Sequence, residues 1–411
     1  MKRVKFILFV LTGFILASSA IAERVEDHPG TLEYLKGLLY TPDEVDAWLA
    51  GKAFHFGDYD PKFGFLPGDR EERHGLDNSL ITYRYDPENY MRRWFNYKDE
   101  PCRINTYGDS FVNCEEVNDS ETWQEVLAAH LCEPIRNFGT GNSIYWAYLR
   151  MRHEEEKTPG KFIIFNLYEV DHHRNMISWQ RIAYGKQGTK SIHPTLPYLN
   201  VNPSTGLFEE HPNPCSSPEL VHKLCDLDWV NETFRDDFYL QISVARNNLR
   251  LGKPERSYGP IQKLALEQGI RYVNIDTPEE LRTVSQTLLD RAGMFATKET
   301  VKRVDEYAKK RGKEILYVLS YGGESMMSGA IEKGIRFDQE LIDFLDQRGA
   351  RYVDILQSHA EDFAKFKIPF SEYHNRYYVG HYSPAGNFFY AFSIKDKLVE
   401  MLDPKPVSYR D

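Results

Sequence analysis

The chain has 411 residues, 41% of them hydrophobic, and a formal net charge of −10. That size and composition allow one large domain or two ordinary ones, each with a buried core. The acidic balance, without a long run of either sign, argues against nucleic acid as a partner, because phosphate binding needs a concentrated basic face.

In chain order, residues 1–22 read as an export signal. Lys2, Arg3 and Lys5 precede the apolar run FILFVLTGFILA, and Ala20 to Ala22 (AIA) fit a small-x-small cleavage site. The run is short for a membrane span, so the expectation is an exported chain, periplasmic or secreted, with no stable membrane insertion after cleavage. Residues 23–100 are polar, aromatic and irregular, and are read as an N-terminal extension packed on the main domain.

From residue 101 to 411, strand and helix signals alternate. RINTYG (from Arg103) is a strand, followed by the helix ETWQEVLAAHL, with Asp119 or Ser120 as its cap. RNFGTG is a short strand or turn, and SIYWAYLRMRHEEE is a second helix. KFIIFNLYEV is nearly continuous in apolar residues, as a buried parallel strand is. A long insertion follows, over about residues 171–298. The rhythm resumes with the helix KETVKRVDEYAKKRG, the strand EILYVLSY, the helix DQELIDFLDQRG, the strand RYVDILQ and the final helix NFFYAFSIKDKLVEML. Such alternation predicts an α/β fold: a three-layer, flavodoxin-like parallel sheet with helices on both faces.

In such sheets ligands bind at the carboxyl ends of the strands. Ser110 follows the first strand, Gly141 and Asn166 fall at or near the ends of later ones, and His381 lies in the loop between the last strand and the last helix. A serine, a base to take its proton and donors for an oxyanion are the parts that acyl transfer needs. The blocks that carry them, GDSF at Ser110, NFGTGNSIYWAYLRM at Gly141 and GHYSPAGNFFYAFSI at His381, resemble those of the SGNH (GDSL-like) hydrolase superfamily. Within it they are similar to the exported branch that includes alginate O-acetyltransferase-like proteins. The resemblance spans about Arg103 to Leu402, apart from the insertion. It implies Ser110 as nucleophile, His381 as base, and an oxyanion hole from the Ser110 and Gly141 backbone N–H groups and the Asn166 side chain.

Two departures stand out. The family's third block, Gly-x-Asn-Asp, is replaced by FNLYEVDHHRN, which leaves Asn166 as the expected third oxyanion donor and His172 as the runner-up. The family's acid, three residues before the histidine, is replaced by Tyr378. The remaining possibilities are an acid from elsewhere, with Glu372 and Asp362 among the nearest candidates, a Ser-His dyad, or a chain that no longer turns over.

The implied activity is that of an exported serine esterase or O-acyltransferase, acting on ester-linked acyl groups, O-acetyl above all, of carbohydrates. A lipid or small-ester hydrolase is the alternative within enzymes, and an inactive carbohydrate-binding or scaffold protein is the alternative outside them. Neither a metal nor an organic cofactor is needed for this chemistry. Asp171, His172 and His173 are adjacent and point different ways, which does not favour chelation. Two further expectations concern the insertion. Cys215 and Cys225 are expected to pair, and the segment is expected to wall the Ser110 cleft.

Overall fold

The computed structural model describes residues 28–410, except 53–56, 187–192 and 272. The expected export signal at 1–22 lies outside the described residues. Five parallel strands form the central sheet: β1 (Ile104–Tyr107), β2 (Ile135–Asn137), β3 (Phe162–Tyr168), β4 (Glu314–Ser320) and β5 (Tyr352–Asp354). Their order across the sheet is β5-β4-β3-β1-β2. It reverses between β1 and β3, the switch point of a flavodoxin-like sheet, where a ligand crevice opens. Helices flank the sheet. Trp123–Leu131 packs with Pro384–Met401, and Ile144–Lys157 packs with Pro278–Arg311.

β3 is central because it can be buried on both faces. Its first six residues are buried, and it bonds to β1 on one side and β4 on the other. The strand ends at Tyr168, two residues short of the run KFIIFNLYEV, and its register with β1 fixes where Asn166 falls. Tyr107, the last residue of β1, lies opposite Phe165, and β3 continues through Asn166 to Tyr168. Asn166 therefore stands inside the strand, level with Gly108, and not at its end.

Several boundaries differ from expectation for identifiable reasons. The helix after the Ser110 turn is capped by Thr122, whose side chain accepts from the Glu125 N–H. Asp119 and Ser120 belong to a preceding 3-10 turn. β5 stops at Asp354 because that side chain accepts the Leu356 N–H and starts the helix Ile355–Phe363. A further helix, Phe370–Tyr377, separates it from His381, so the histidine does not follow the last strand directly. The helix expected from Lys298 begins at Pro278 and runs 34 residues to Arg311. A capping box on Thr277 starts it and Gly312, in the left-handed region, ends it. The end of the insertion and a sheet-covering helix are thus one element. Gly293 lies midway, where a Cβ would stand 2.8 Å from the His172 backbone.

The five cysteines are free, and Cys215 and Cys225 are not joined. The residues between them form a helix, Pro218–His222, in place of the fold-back that pairing needs. The fully buried Cys215 thiol instead donates to the Leu220 carbonyl at 3.3 Å.

Ahead of the sheet, two helices (Thr31–Leu38 and Pro42–Leu49) are followed by short antiparallel hairpins, one of which pairs Arg70–Arg73 with Leu80–Tyr83. Among the described residues no helix is long and apolar enough to cross a membrane.

Candidate active site

All four residues of β1 are buried, and the strand ends in a turn that permits little variation. A Cβ on Gly108 would lie 2.4 Å from Val112 Cγ2 and 2.7 Å from Asn166 Cβ. Asp109 caps the four-residue helix Ser110–Asn113, its Oδ1 accepting the Phe111 N–H at 3.1 Å. Because Asp109 does the capping, the Ser110 hydroxyl is left for another partner. That partner is His381, whose Nε2 lies 2.8 Å from Ser110 Oγ. For Nε2 to accept the serine proton, the ring proton must sit on Nδ1. The imidazole packs against the Phe111 ring with centroids 4.8 Å apart, and its side chain remains 28% exposed, so a substrate can reach it.

Behind the histidine stands a carboxylate that sequence reading does not single out. Glu116 Oε1 lies 3.4 Å from His381 Nδ1, and Glu116 Oε2 accepts the His381 backbone N–H at 2.6 Å. The firmer bond is to the backbone, while the ring contact is an ion-pair distance. Catalytic hydrogen bonds are often long in unliganded sites and tighten with substrate. Burial alone would raise the Glu116 carboxyl, but the contacts with His381 outweigh it and hold the group below its ordinary value. Ser110 and Glu116 thus lie against opposite ring nitrogens of His381, Nε2 hydrogen-bonded to the serine and Nδ1 buried at ion-pair distance from the glutamate without a hydrogen bond among the described residues.

Glu116 reaches His381 through unusual backbone. It has φ 71°, and Cys114, two residues earlier, has φ 61°. Left-handed conformations at non-glycine residues cost about 1 kcal/mol or more each and persist where surroundings fix them. On the histidine side, Gly380 has φ 149°, and a Cβ there would stand 2.3 Å from Glu116 Oε1. Gly380→Ala is therefore expected to displace the carboxylate. Turnover should fall about 10- to 100-fold, with a smaller change in KM, in steady-state kinetics on an activated ester.

Gly141 approaches the serine from the loop after β2. A Cβ on it would meet Ser110 Cβ at 3.7 Å. The same loop is pinned by the Thr140 N–H, which donates to the Gly108 carbonyl at 3.1 Å, and by Gly139, where a Cβ would collide with the Asn113 N–H at 2.1 Å. Two of the expected oxyanion donors, Ser110 and Gly141, are side by side. Neither backbone N–H has an acceptor among the described residues.

Asn166 is engaged differently from the expectation. Its Nδ2 donates to Asp109 Oδ1 at 3.2 Å, its Oδ1 accepts the Tyr390 hydroxyl at 3.0 Å, and the residue is 2% exposed. It braces the turn from below, because β3 continues past it. His172, the runner-up, is buried. Its Nδ1 is bonded to Thr297 Oγ1 at 2.9 Å, and burial lowers its pKa to about 4. Among the described residues, no cluster of His, Cys, Asp and Glu is arranged to hold a metal.

Neither of the two acids named as candidates is bonded or paired to His381 among the described residues. Asp362 accepts from the Tyr377 hydroxyl at 2.8 Å and the Tyr373 hydroxyl at 3.2 Å, and Glu372 is exposed in the first turn of its helix. Tyr378, at the family's acid position, is buried with its hydroxyl donating to the Tyr321 carbonyl at 3.0 Å and paired with His359 Nε2 at 2.9 Å. It builds an aromatic cluster and does not face the ring of His381.

The surroundings include three carboxyls with raised pKa values, Asp109, Glu169 and Asp171, each raised first by burial. Burial pushes Asp109 up to about 6, with the charges of Arg174 and His381 acting against the rise. Arg174, which donates to Asp171 at 3.0 Å, belongs to the first turn of the insertion, and its charge acts on Asp109, so this part of the segment adjoins the Ser110 turn. Burial also pushes Glu169, just past β3, from 4.5 to about 7, although the Gly322 and Gly323 N–H groups donate to its Oε1. Its Oε2 is buried without a partner among the described residues. A carboxyl whose folded pKa is raised stabilises fully below the unfolded value and loses that contribution as pH rises through the folded one. Glu169→Gln is therefore expected to gain stability relative to wild type between about pH 4.5 and pH 8, on the order of 2–3 kcal/mol, in urea denaturation.

The chain matches no family model and no curated protein.

Proposed function

We propose that this protein is a serine esterase or O-acyltransferase of the SGNH type, acting through an acyl-serine intermediate. The observation that carries the reading is the line from Ser110 Oγ to His381 Nε2, 2.8 Å apart, with the Glu116 carboxylate behind Nδ1. Ser110 Oγ attacks the ester carbonyl as Nε2 takes its proton. Glu116 steadies the imidazolium that forms, and the ring then hands the proton to the departing alcohol oxygen. The carbonyl oxygen, now negative, lies against the Ser110 and Gly141 N–H groups, which are fixed before the reaction and have no other acceptor among the described residues. In the second half, water or an acceptor hydroxyl enters by the reverse path. The GDSF and GHYSP blocks support the family reading, and O-acetylated carbohydrate is the substrate class it proposes.

The test is release of p-nitrophenol from p-nitrophenyl acetate by the purified protein, with Ser110→Ala as control, followed by an acetylated polysaccharide with and without a free sugar acceptor. Turnover that the serine variant abolishes supports the reading. An equal rate from the variant overturns it.

A further inference from the structure

We propose that the segment ahead of the sheet is part of the catalytic apparatus, with Arg70, Tyr83 and Arg92 acting as positioning residues that hold Glu116 against His381. The inference rests on the triad reading above and adds to it where the acid's placement comes from.

The loop from Asn113 to Asp119 has little regular structure of its own. It begins as the short nucleophile helix ends, contains both left-handed residues, and gives up three carbonyls that no strand or helix satisfies. Arg92 satisfies them. Its guanidinium is fully buried and donates to the carbonyls of Asn113, Cys114 (2.6 Å) and Val117 (2.5 Å), and through Nε to Asp119 Oδ1 at 2.9 Å. One planar cation thus closes the loop on itself. Lysine, with a single ammonium, does not match such a fork.

Arg70 holds the residue next to the acid. Its Nη2 bonds both oxygens of Glu115, at 2.7 and 2.5 Å, and Glu115 also accepts from Asn113 Nδ2 at 2.6 Å. Against the cost of burial, the Arg70 charge is the first of the influences that bring Glu115 down to about 2. Glu115 is thereby anchored as a carboxylate facing the extension, and its neighbour Glu116 faces the histidine.

Tyr83 joins the two arginines. The Arg70 and Arg92 guanidinium groups lie 3.8 and 4.6 Å from its ring centroid. Its hydroxyl accepts the Glu116 backbone N–H at 2.7 Å and is bonded to His74 Nε2 at 2.6 Å. Thr82 and Arg84, on either side, donate their own backbone N–H groups to Asn118 Oδ1 (3.0 Å) and Asp119 Oδ1 (3.3 Å). The left-handed backbone at Glu116 is therefore set by contacts from residues 70–92, not by its own local preference. The catalytic acid is carried by the sheet domain but oriented by the extension.

A residue that acts through Glu116 loses its influence once the carboxylate is gone, whereas a residue that merely stabilises the fold acts equally in both backgrounds. Tyr83→Phe keeps the ring and removes only the acceptor of the Glu116 N–H. Arg70→Lys keeps the charge, loses the two-oxygen grip, and does not touch Glu116 itself. Each is made in the full-length wild type and in Glu116→Gln, and kcat and KM are measured on p-nitrophenyl acetate. The rate of Ser110 labelling by a fluorophosphonate is read by mass spectrometry alongside. The expected result is a roughly 10-fold fall in kcat and labelling rate in wild type, with KM nearly constant, and less than about a twofold fall in Glu116→Gln. Full rates for both variants in the wild-type background, or equal losses in the two backgrounds, overturn the proposal. Wild-type protein that is not labelled at Ser110 overturns the nucleophile reading itself, and the positioning role with it.

Discussion

Glu116→Gln is expected to lower kcat/KM on an activated acetyl ester about 10³- to 10⁴-fold, the loss that follows when the carboxylate is removed from a serine triad with its geometry kept. Nearly all of it should appear in kcat, because the acid stabilises charge that exists only as the proton moves to His381. Glutamine can still accept the His381 backbone N–H, which Glu116 Oε2 accepts at 2.6 Å, so the turn at residues 378–382 should survive. It supplies no negative charge opposite Nδ1. Asp362→Asn and Glu372→Gln should leave the rate unchanged, since one is bonded to two tyrosine hydroxyls and the other is exposed with no contact to the histidine among the described residues. A silent Glu116→Gln combined with a large loss at Asp362 or Glu372 would assign the acid to one of the two candidates named from the sequence.

Ser110→Ala and His381→Ala are each expected to remove about 10⁵-fold or more of the rate, and the double variant little more than either single. A serine hydroxyl is a weak nucleophile at neutral pH without a base, and the base has nothing to accept without the serine. The 2.8 Å contact makes them one unit. What activity remains comes from the N–H groups of Ser110 and Gly141, which neither substitution removes. Losses that multiply in the double variant would mean that the two residues serve separate steps.

Much of this site could be read from residue order alone, and the reasons are local. Gly108-Asp109-Ser110 sits where an apolar strand meets a helix pattern, and the need for glycine there is a matter of a few ångströms around one Cβ. His381 is followed by Ser383 and Pro384, an N-cap and first-turn residue that mark the last helix. The parallel sheet follows from the spacing of RINTYG, KFIIFNLYEV and EILYVLSY.

The acid was not legible, because its placement depends on two left-handed residues and on contacts with side chains more than twenty residues upstream. No pattern in NCEEVND distinguishes the glutamate that binds Arg70 from the one that faces His381. Asn166 misled for a different reason. The run KFIIFNLYEV extends past it, but only the register with β1, which the sequence does not show, puts it level with Gly108 and beneath the Ser110 turn rather than at the rim. The break of β5 at Asp354 and the joining of the insertion to the helix Pro278–Arg311 were hidden in the same way. The capping aspartate reads equally well as part of the strand RYVDILQ, and the mid-helix glycine as part of the insertion.

The central claim is that Ser110 carries the acyl group. It is tested most directly by mixing the protein with p-nitrophenyl acetate, quenching in acid within the first turnovers, and mapping the digest by mass spectrometry. The account predicts one added acetyl group on the peptide containing Ser110, absent from Ser110→Ala and strongly reduced in His381→Ala and Glu116→Gln. Acetyl transfer to another residue at an undiminished rate in Ser110→Ala would contradict it.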